Sequence, residues 1–191
     1  MKKLFLMAVM ALATVSSFAQ HRVGTVTIQP KVGLSLANVT KGDGDIRVGA
    51  VAGAEFEYQV SDIFSLSAGA LYSMQGCKGE VEGYDATVKL DYLNIPILAN
   101  VYVAKGLAVK LGIQPGFNVT SKASVEKSGT KVTTELDDVE SVDFSIPVGL
   151  SYEINNFVID ARYNLGVSKI MDGSDSKNSV FQFTLGYKFA L

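Results

Sequence analysis

The chain has 191 residues, with 17 lysines and arginines against 19 aspartates and glutamates and a formal net charge of −2 at pH 7. This length corresponds to one domain, and the charge balance argues against nucleic acid as a partner, because nucleic-acid binding needs a basic surface. A single cysteine and a single histidine exclude an internal disulfide, a cysteine-built zinc site and most histidine-based catalytic arrangements. The mean hydropathy is +0.24, yet no apolar run of about 18 residues, the length of a membrane-spanning helix, follows the N-terminal region.

Residues 1–19 have the three parts of a secretory signal peptide. Lys2 and Lys3 form a basic start, residues 4–13 are an unbroken apolar segment, and Ser17-Phe18-Ala19 has the small residues that precede a cleavage site. We therefore expect export through the Sec pathway and cleavage after Ala19, which leaves residues 20–191 as a single mature domain.

From residue 26 to the end of the chain, apolar and polar residues alternate with the two-residue period of a β-strand. Eight segments show this alternation, near residues 26–36, 46–60, 64–74, 88–97, 107–117, 142–152, 157–165 and 181–191. Each is long enough to cross a membrane with tilt. In the fourth segment, Val88, Leu90 and Tyr92 form the apolar row. The parity then shifts so that Leu93 and Ile95 continue that row, which predicts a β-bulge.

The connections between these segments alternate between short and long. Segments 2–3, 4–5 and 6–7 are joined by about three residues each, and the other pairs by roughly 8 to 24 residues. The longest connection runs over residues 119–141, and Asn155-Asn156 is typical of a hairpin turn. Short turns at one rim and long loops at the other are typical of outer-membrane barrels. The sequence thus predicts an all-β, eight-stranded antiparallel up-and-down transmembrane β-barrel with short periplasmic turns and long extracellular loops.

A soluble, lipocalin-like barrel would show the same alternation with its apolar residues inside. The strand glycines favour the membrane barrel, because all of them lie on the polar face, and glycine marks positions where room is short. The interior of an eight-stranded barrel is barely wide enough for side chains, whereas a solvent-facing surface has no such shortage. These glycines are Gly33, Gly49, Gly53, Gly69, Gly112, Gly116, Gly149, Gly166 and Gly186.

Three stretches carry a family resemblance: residues 92–98 (Tyr-Leu-Asn-Ile-Pro-Ile-Leu), residues 143–153 and residues 161–166. With them the whole mature chain resembles the porin-like (PorT-like) β-barrel family of Gram-negative outer membranes, and in size the small OmpX- or OmpA-type barrels. The resemblance implies a monomer in the cell outer membrane, in contact with outer-membrane lipid and lipopolysaccharide. It also implies handling by periplasmic chaperones and the barrel-assembly machinery. The chain departs from such barrels at its C-terminus, where Phe189 is followed by Ala190 and Leu191.

Charged residues on the polar face balance in sign and would share one lumen. The basic members are Lys31, Arg47, Lys89, Lys110, Arg162 and Lys188, and the acidic members are Glu55, Glu57, Asp91, Asp143, Glu153 and Asp160. A charge inside a narrow barrel persists when it is paired and hydrogen-bonded. The sequence therefore predicts a lumen charge network that leaves the bore largely closed, with a narrow porin, ion channel or small-solute path as the alternative.

No catalytic residue, metal ligand or cofactor is predicted. His21 lies next to the expected mature N-terminus, far from any rim serine, which argues against a lipid-modifying enzyme with a Ser–His pair. The loops have an excess of acidic residues that could attract a divalent cation bridging to lipopolysaccharide phosphates. Residues 41–45 and 172–175 have the composition of calcium loops without a recognised spacing, so solvated turns are the favoured interpretation. We expect an integral outer-membrane barrel with a structural or surface-interaction role; a secretion-system accessory barrel is less favoured.

Overall fold

The structure, a computed structural model, describes residues 21–40, 44–81, 84–127, 130–136, 139–170 and 175–191. The expected signal peptide and its cleavage site after Ala19 lie outside these ranges, as do residues 41–43 and 172–174 of the two calcium-like motifs. Within the described ranges, no helix has the length and apolar character needed to span a membrane.

The described residues form eleven β-strands, and every pairing among them is antiparallel. The strands are β1 (Val26–Val39), β2 (Asp45–Ser61), β3 (Phe64–Val81), β4 (Tyr84–Asn94), β5 (Ile97–Ala104), β6 (Leu107–Lys127), β7 (Thr130–Glu135), β8 (Val142–Ile154), β9 (Phe157–Gly166), β10 (Asn178–Tyr187) and β11 (Phe189–Ala190).

Eight strand positions close into one hydrogen-bonded ring. Each position pairs with the next along the chain, in the order β1, β2, β3, β4 with β5, β6, β8, β9, and β10 with β11. The ring closes because β1 pairs with both β10 and β11, from Val39 opposite Asn178 to Thr27 opposite Ala190. The predicted eight-stranded up-and-down barrel is confirmed, with the fourth and eighth predicted segments each divided into two strands.

The two rims differ as the sequence predicts. Two-residue turns at 62–63, 105–106 and 155–156 connect β2 to β3, β5 to β6 and β8 to β9. Asn155 and Asn156 have φ angles of 47° and 73°, the left-handed values that a type I′ hairpin turn requires at both central positions. We call this rim the short-turn end and the opposite rim the long-loop end.

Burial is inverted relative to a soluble barrel. Leu111, Ile113 and Leu185 are 54%, 57% and 53% exposed on the outer surface, whereas Glu55 and Asp160 are each 1% exposed inside. A continuous apolar outer surface of this kind is stable against lipid rather than against water. The soluble, lipocalin-like alternative therefore does not fit the structure.

The strand glycines lie where neighbouring strands approach closely. A Cβ atom on Gly33 would collide with the carbonyl oxygen of Phe183 and would lie 2.7 Å from the Cα atom of Thr184. A Cβ atom on Gly53 would lie 2.8 Å from the Cα atom of Leu71. The crowding predicted at these positions is present, and its cause is the backbone of the adjacent strand more than side chains across the bore.

The longest predicted loop is partly strand. Residues 119–141 contain the end of β6 and all of β7, which folds back on β6 so that Val125 lies opposite Val132. β3 and β4 likewise pair as far as Val81 and Tyr84. Most of these residues are polar or β-branched, and β-branched residues favour strands. We call the parts of β3, β4, β6 and β7 beyond the closed ring the extension.

The first half of the fourth segment faces the opposite way from the prediction, which placed Val88, Leu90 and Tyr92 in the outward apolar row. Leu90 and Tyr92 are only 2% and 1% exposed, and they pack inside the barrel against Ile170. Val39, Val88 and Val139 are partly buried against these three residues. The pairing of β4 with β6 shifts by one residue between Asp91 and Tyr92, but the extra residue, Val119, is on β6, and β4 pairs with β3 without a shift. The bulge predicted within the fourth segment is therefore wrong, because the segment has one regular parity throughout. We call Leu90, Tyr92 and Ile170 the apolar cap.

The outward apolar surface generates a test of orientation. Leu111→Lys, in the barrel wall, should lower the free energy of unfolding by about 2–4 kcal/mol, because the ammonium group would face lipid. Val132→Lys is the matched control: Val132 is 63% exposed in the extension, so the new lysine would face water and change stability little. Urea-induced unfolding in lipid vesicles measures both, and equal effects would contradict a lipid-facing wall at Leu111.

Candidate functional site

Five charged side chains from four strands meet in the bore. β1 contributes Lys31, β2 contributes Glu55, β6 contributes Lys110, and β9 contributes Asp160 and Arg162. Each lies on the inward parity of its strand, because outward apolar residues flank it on both sides. Their side chains are at most 3% exposed. We call these five residues the central cluster.

Arg162 and the two lysines hold both carboxylates of the central cluster. The guanidinium Nη1 lies 3.0 Å from Glu55 Oε1, and Nη2 lies 3.0 Å from Asp160 Oδ2. Lys31 Nζ lies 2.8 Å from Glu55 Oε2 and 3.7 Å from Asp160 Oδ2, and Lys110 Nζ lies 2.9 Å from Asp160 Oδ2. Both carboxylates therefore accept from more than one cation, which is the geometry that allows buried charges to persist.

A second group of side chains lies toward the short-turn end. Lys188 Nζ lies 2.9 Å from Glu57 Oε2 and 2.9 Å from Glu153 Oε2. The Tyr102 hydroxyl donates to Glu57, and Lys188 Nζ donates to the Tyr102 hydroxyl over 3.3 Å. The imidazole Nε2 of His21 lies 3.0 Å from Glu153 Oε1. We call these five residues the lower cluster.

The two clusters compensate each other in charge. The central cluster has three cations and two carboxylates, and the lower cluster has Lys188 against two carboxylates. The surplus cation and the surplus carboxylate are close along the same bore, so the buried set is neutral when His21 is neutral. Electroneutrality of this kind limits the cost of keeping eight charges out of bulk water.

The other four residues predicted to line the lumen belong to neither cluster. Arg47 Nη1 lies 3.3 Å from Asp91 Oδ1, and the Tyr72 hydroxyl donates to Asp91 over 2.9 Å. By ladder register, Asp91 and Lys89 lie on the face opposite Leu90 and Tyr92, so their predicted lumen positions are wrong. The physical reason is that the apolar side chains of this strand segment turn inward to form the apolar cap.

Asp143 is buried near the long-loop end, apart from both clusters. Its carboxylate accepts a hydrogen bond from the Ser168 hydroxyl over 2.7 Å, and the same hydroxyl oxygen accepts from the Phe144 amide. Asp143 therefore stabilises the chain that follows β9, between Gly166 and the apolar cap residue Ile170.

Sequence reasoning missed two members of the lower cluster. Tyr102 follows Leu98 and Asn100 on the inward parity of β5, a continuation of the alternation past the end of the predicted fourth segment. That parity could have identified it. The sequence places His21 next to the expected mature N-terminus, and no pattern in it indicates that the segment before β1 folds back across the short-turn end.

The buried clusters have the composition of a structural network. Within the described ranges, no group of three or more His, Cys, Asp or Glu side chains is arranged to hold a metal ion. Cys77 is a free, partly buried thiol. Each ion of the central cluster is paired with at least one ion of opposite charge across the bore, so the arrangement can hold strands together and obstruct the passage of solutes.

Comparison with known proteins identifies the family. The family model described as an outer membrane protein beta-barrel domain matches residues 18–172. One similar structure is that of Ail, the attachment invasion locus protein of Yersinia pestis, in complex with the heparin analogue sucrose octasulfate. Its sequence is 20% identical, the match covers 88% of this chain and 100% of that chain, and the TM-score is 0.51. Neisserial surface protein A is 18% identical, with 85% and 95% covered and a TM-score of 0.50.

At these identities the two structures show a shared fold, and no curated protein matches the chain. The family match covers most of the sequence and agrees with the hydrogen-bonded ring and the apolar outer surface. The chain therefore belongs to the outer membrane protein beta-barrel domain family and is a transmembrane β-barrel of the Gram-negative outer membrane.

Proposed function

We propose that the barrel is a closed, non-enzymatic scaffold that supports a structural or surface-interaction role at its long-loop end. The central cluster is the observation that carries this proposal. Arg162 on β9 binds Glu55 on β2 and Asp160 at once, and Lys31 and Lys110 bind the same carboxylates from two further strands. A solute crossing the bore would have to separate these buried ions.

Two further features support a closed bore. The apolar cap covers the long-loop end, where the Ile170 carbonyl accepts from the Glu140 amide and so connects the cap to the segment before β8. At the short-turn end, His21 contacts Glu153, and the Gly24 amide donates to the Gln59 carbonyl. A narrow ion or small-solute path is the competing function, and it requires these layers to open.

Export, assembly and partners form part of the same proposal. Residues 1–19 would direct Sec export and be removed after Ala19, and periplasmic chaperones and the barrel-assembly machinery would then deliver the monomer to the membrane. The terminal strands β10 and β11 both pair with β1, so insertion is complete only when the C-terminal residues close the ring. The mature barrel would contact outer-membrane lipid and lipopolysaccharide.

The closed bore predicts the behaviour of the purified protein in planar bilayers. Wild-type monomers should give no stable porin-sized conductance, because ion pairs fill an interior that side chains alone nearly occupy. Removing the apolar cap with Leu90→Ala and Tyr92→Ala should leave the membrane closed, since the central cluster still spans the bore. Reproducible large, weakly selective openings from the wild type would contradict the proposal and favour the transport function.

Loss of one ion from the central cluster should be costly. Arg162→Gln should lower the free energy of unfolding in lipid vesicles by about 3–5 kcal/mol, because Glu55 and Asp160 would stay buried without their shared partner. Lys105→Gln, at an exposed lysine of a short turn, is the matched control and should change little. A loss below about 1 kcal/mol for Arg162→Gln would indicate that water solvates these charges in an open bore.

The surface role predicts that the extension faces the cell exterior. An epitope inserted directly after Lys127, the last residue of β6, should bind antibody on intact cells, whereas the same epitope inserted in the turn at 105–106 should bind only after permeabilisation. The reverse pattern would invert the barrel in the membrane and remove the basis for a surface role.

A further inference from the structure

Two lysines face each other on the outer side of the long-loop end. Lys89 on β4 lies directly opposite Lys122 on β6. The register of β4 with β3 runs from Leu93 opposite Tyr72, which are 39% and 38% exposed on the outer surface, to Lys89 opposite Gly76 on the same face. Lys89 and Lys122, here called the outer lysine pair, therefore lie just beyond the edge of the apolar band.

The outer lysine pair lacks full compensation by acidic groups. Like charges directly opposite each other in a ladder, with Cβ atoms about 5 Å apart, destabilise the pair of strands. Lys122 Nζ lies 3.5 Å from Glu135 Oε1, but the two side chains are 44% and 76% exposed, so water weakens this contact. Within the described ranges, Lys89 has no ion pair, and the nearest carboxylate along its face, Asp91, contacts Arg47 and Tyr72.

A concave site lies beside Lys122. A cavity of about 300 Å³ is lined by Val119, Thr120, Ser121, Lys122, Glu135 and Leu136. Most of this lining is polar: it includes the hydroxyl-bearing residues Thr120 and Ser121, Lys122, and Glu135. Val119 is 53% exposed on the apolar outer surface, so the cavity lies where that surface gives way to polar groups. A membrane lipid has the same order of chemistry, from acyl chains to a charged headgroup.

We propose that the outer lysine pair and this cavity bind the phosphate monoester of a phosphorylated glycolipid in the outer leaflet. A phosphate monoester has a charge of about −1.5 to −2 at neutral pH and so balances two ammonium groups, which a monoanionic diester does not. Acyl chains of the same lipid would pack along Val119, Tyr72 and Leu93. The assignment rests on the proposed function in one respect, the outward orientation of the long-loop end.

The test compares lipids in nanodiscs. The folded protein is placed in phosphatidylcholine that contains either diphosphorylated lipid A or the same lipid A with its phosphates removed, at equal fractions. The wild type should retain the phosphorylated form preferentially through purification. Lys89→Gln with Lys122→Gln should weaken that retention about 25-fold, at roughly a fivefold loss for each lysine near a charged lipid surface. Lys105→Gln, at the short-turn end, should leave retention unchanged.

The effect of Lys89→Gln on the unfolding midpoint should depend on whether phosphorylated lipid A is present. In phosphatidylcholine alone, Lys89→Gln should leave the unfolding midpoint unchanged or raise it, because it removes a repulsion. With phosphorylated lipid A present, the same variant should lose the upward shift of the midpoint that the wild type gains. A purely structural role for Lys89 would give the same effect in both lipids, and that result would overturn the proposal.

Three other outcomes would also overturn it. One is equal retention of the two forms of lipid A by the wild type, a result that needs no variant to fold. Another is complete competition by millimolar inorganic phosphate, which would indicate a site for free phosphate. The third is undiminished retention in the double variant. None of these measurements depends on conductance or on which end faces the cell exterior, so they separate this proposal from the proposed function.

Discussion

Closure of the ring between β1 and the two terminal strands is the contact on which the rest of the structure depends. Lipid offers no hydrogen-bond partner to a strand edge, so the wall is stable only when the last ladder, from Val39 opposite Asn178 to Thr27 opposite Ala190, is formed. Closing eight strands fixes a narrow interior. The inward glycines follow from the close approach of paired strands in the ring, because a side chain at Gly33 or Gly53 would collide with the backbone of the adjacent strand.

The narrow interior also determines how the bore is filled. Alternation directs every second side chain inward, and an apolar outer face leaves the polar residues for the interior. Once charges lie there, each must find a partner at short range, and Arg162 meets this requirement by reaching across to Glu55 while it binds Asp160 on its own strand. The central cluster is therefore a consequence of closure as well as a contribution to it, since it joins strands that are distant along the chain.

Most of the barrel could be predicted because its signals are local. Period-two alternation identifies strands, and Asn155-Asn156 specifies its turn through backbone preference alone. The members of the two clusters that lie in the alternating segments follow from parity, although parity does not identify partners. His21 could not be predicted, because its contact with Glu153 depends on where the segment before β1 lies relative to the short-turn end. The strands within residues 119–141 could not be predicted because most residues of that hairpin are polar, so its alternation between polar and apolar residues is weak.

The wrong parity predicted for the first half of the fourth segment and the outward position of Lys89 have one cause, which is the change from lipid to water along β4. β4 keeps one parity from Lys89 to Asn94: Lys89 and Leu93 share the outward face, Leu90, Tyr92 and Asn94 are buried on the inward face, and the pairing of β4 with β3 has no register shift. Near Leu93 lipid surrounds the wall, so the outward side chain is apolar. Beyond Tyr92 water replaces lipid on the outside, so the apolar side chains are the inward ones, which form the apolar cap, and the outward residue is Lys89. The change from Leu93 to Lys89 on one face therefore marks the level at which the surroundings of β4 change, and a cationic group just above that level is in reach of lipid headgroups while remaining in water.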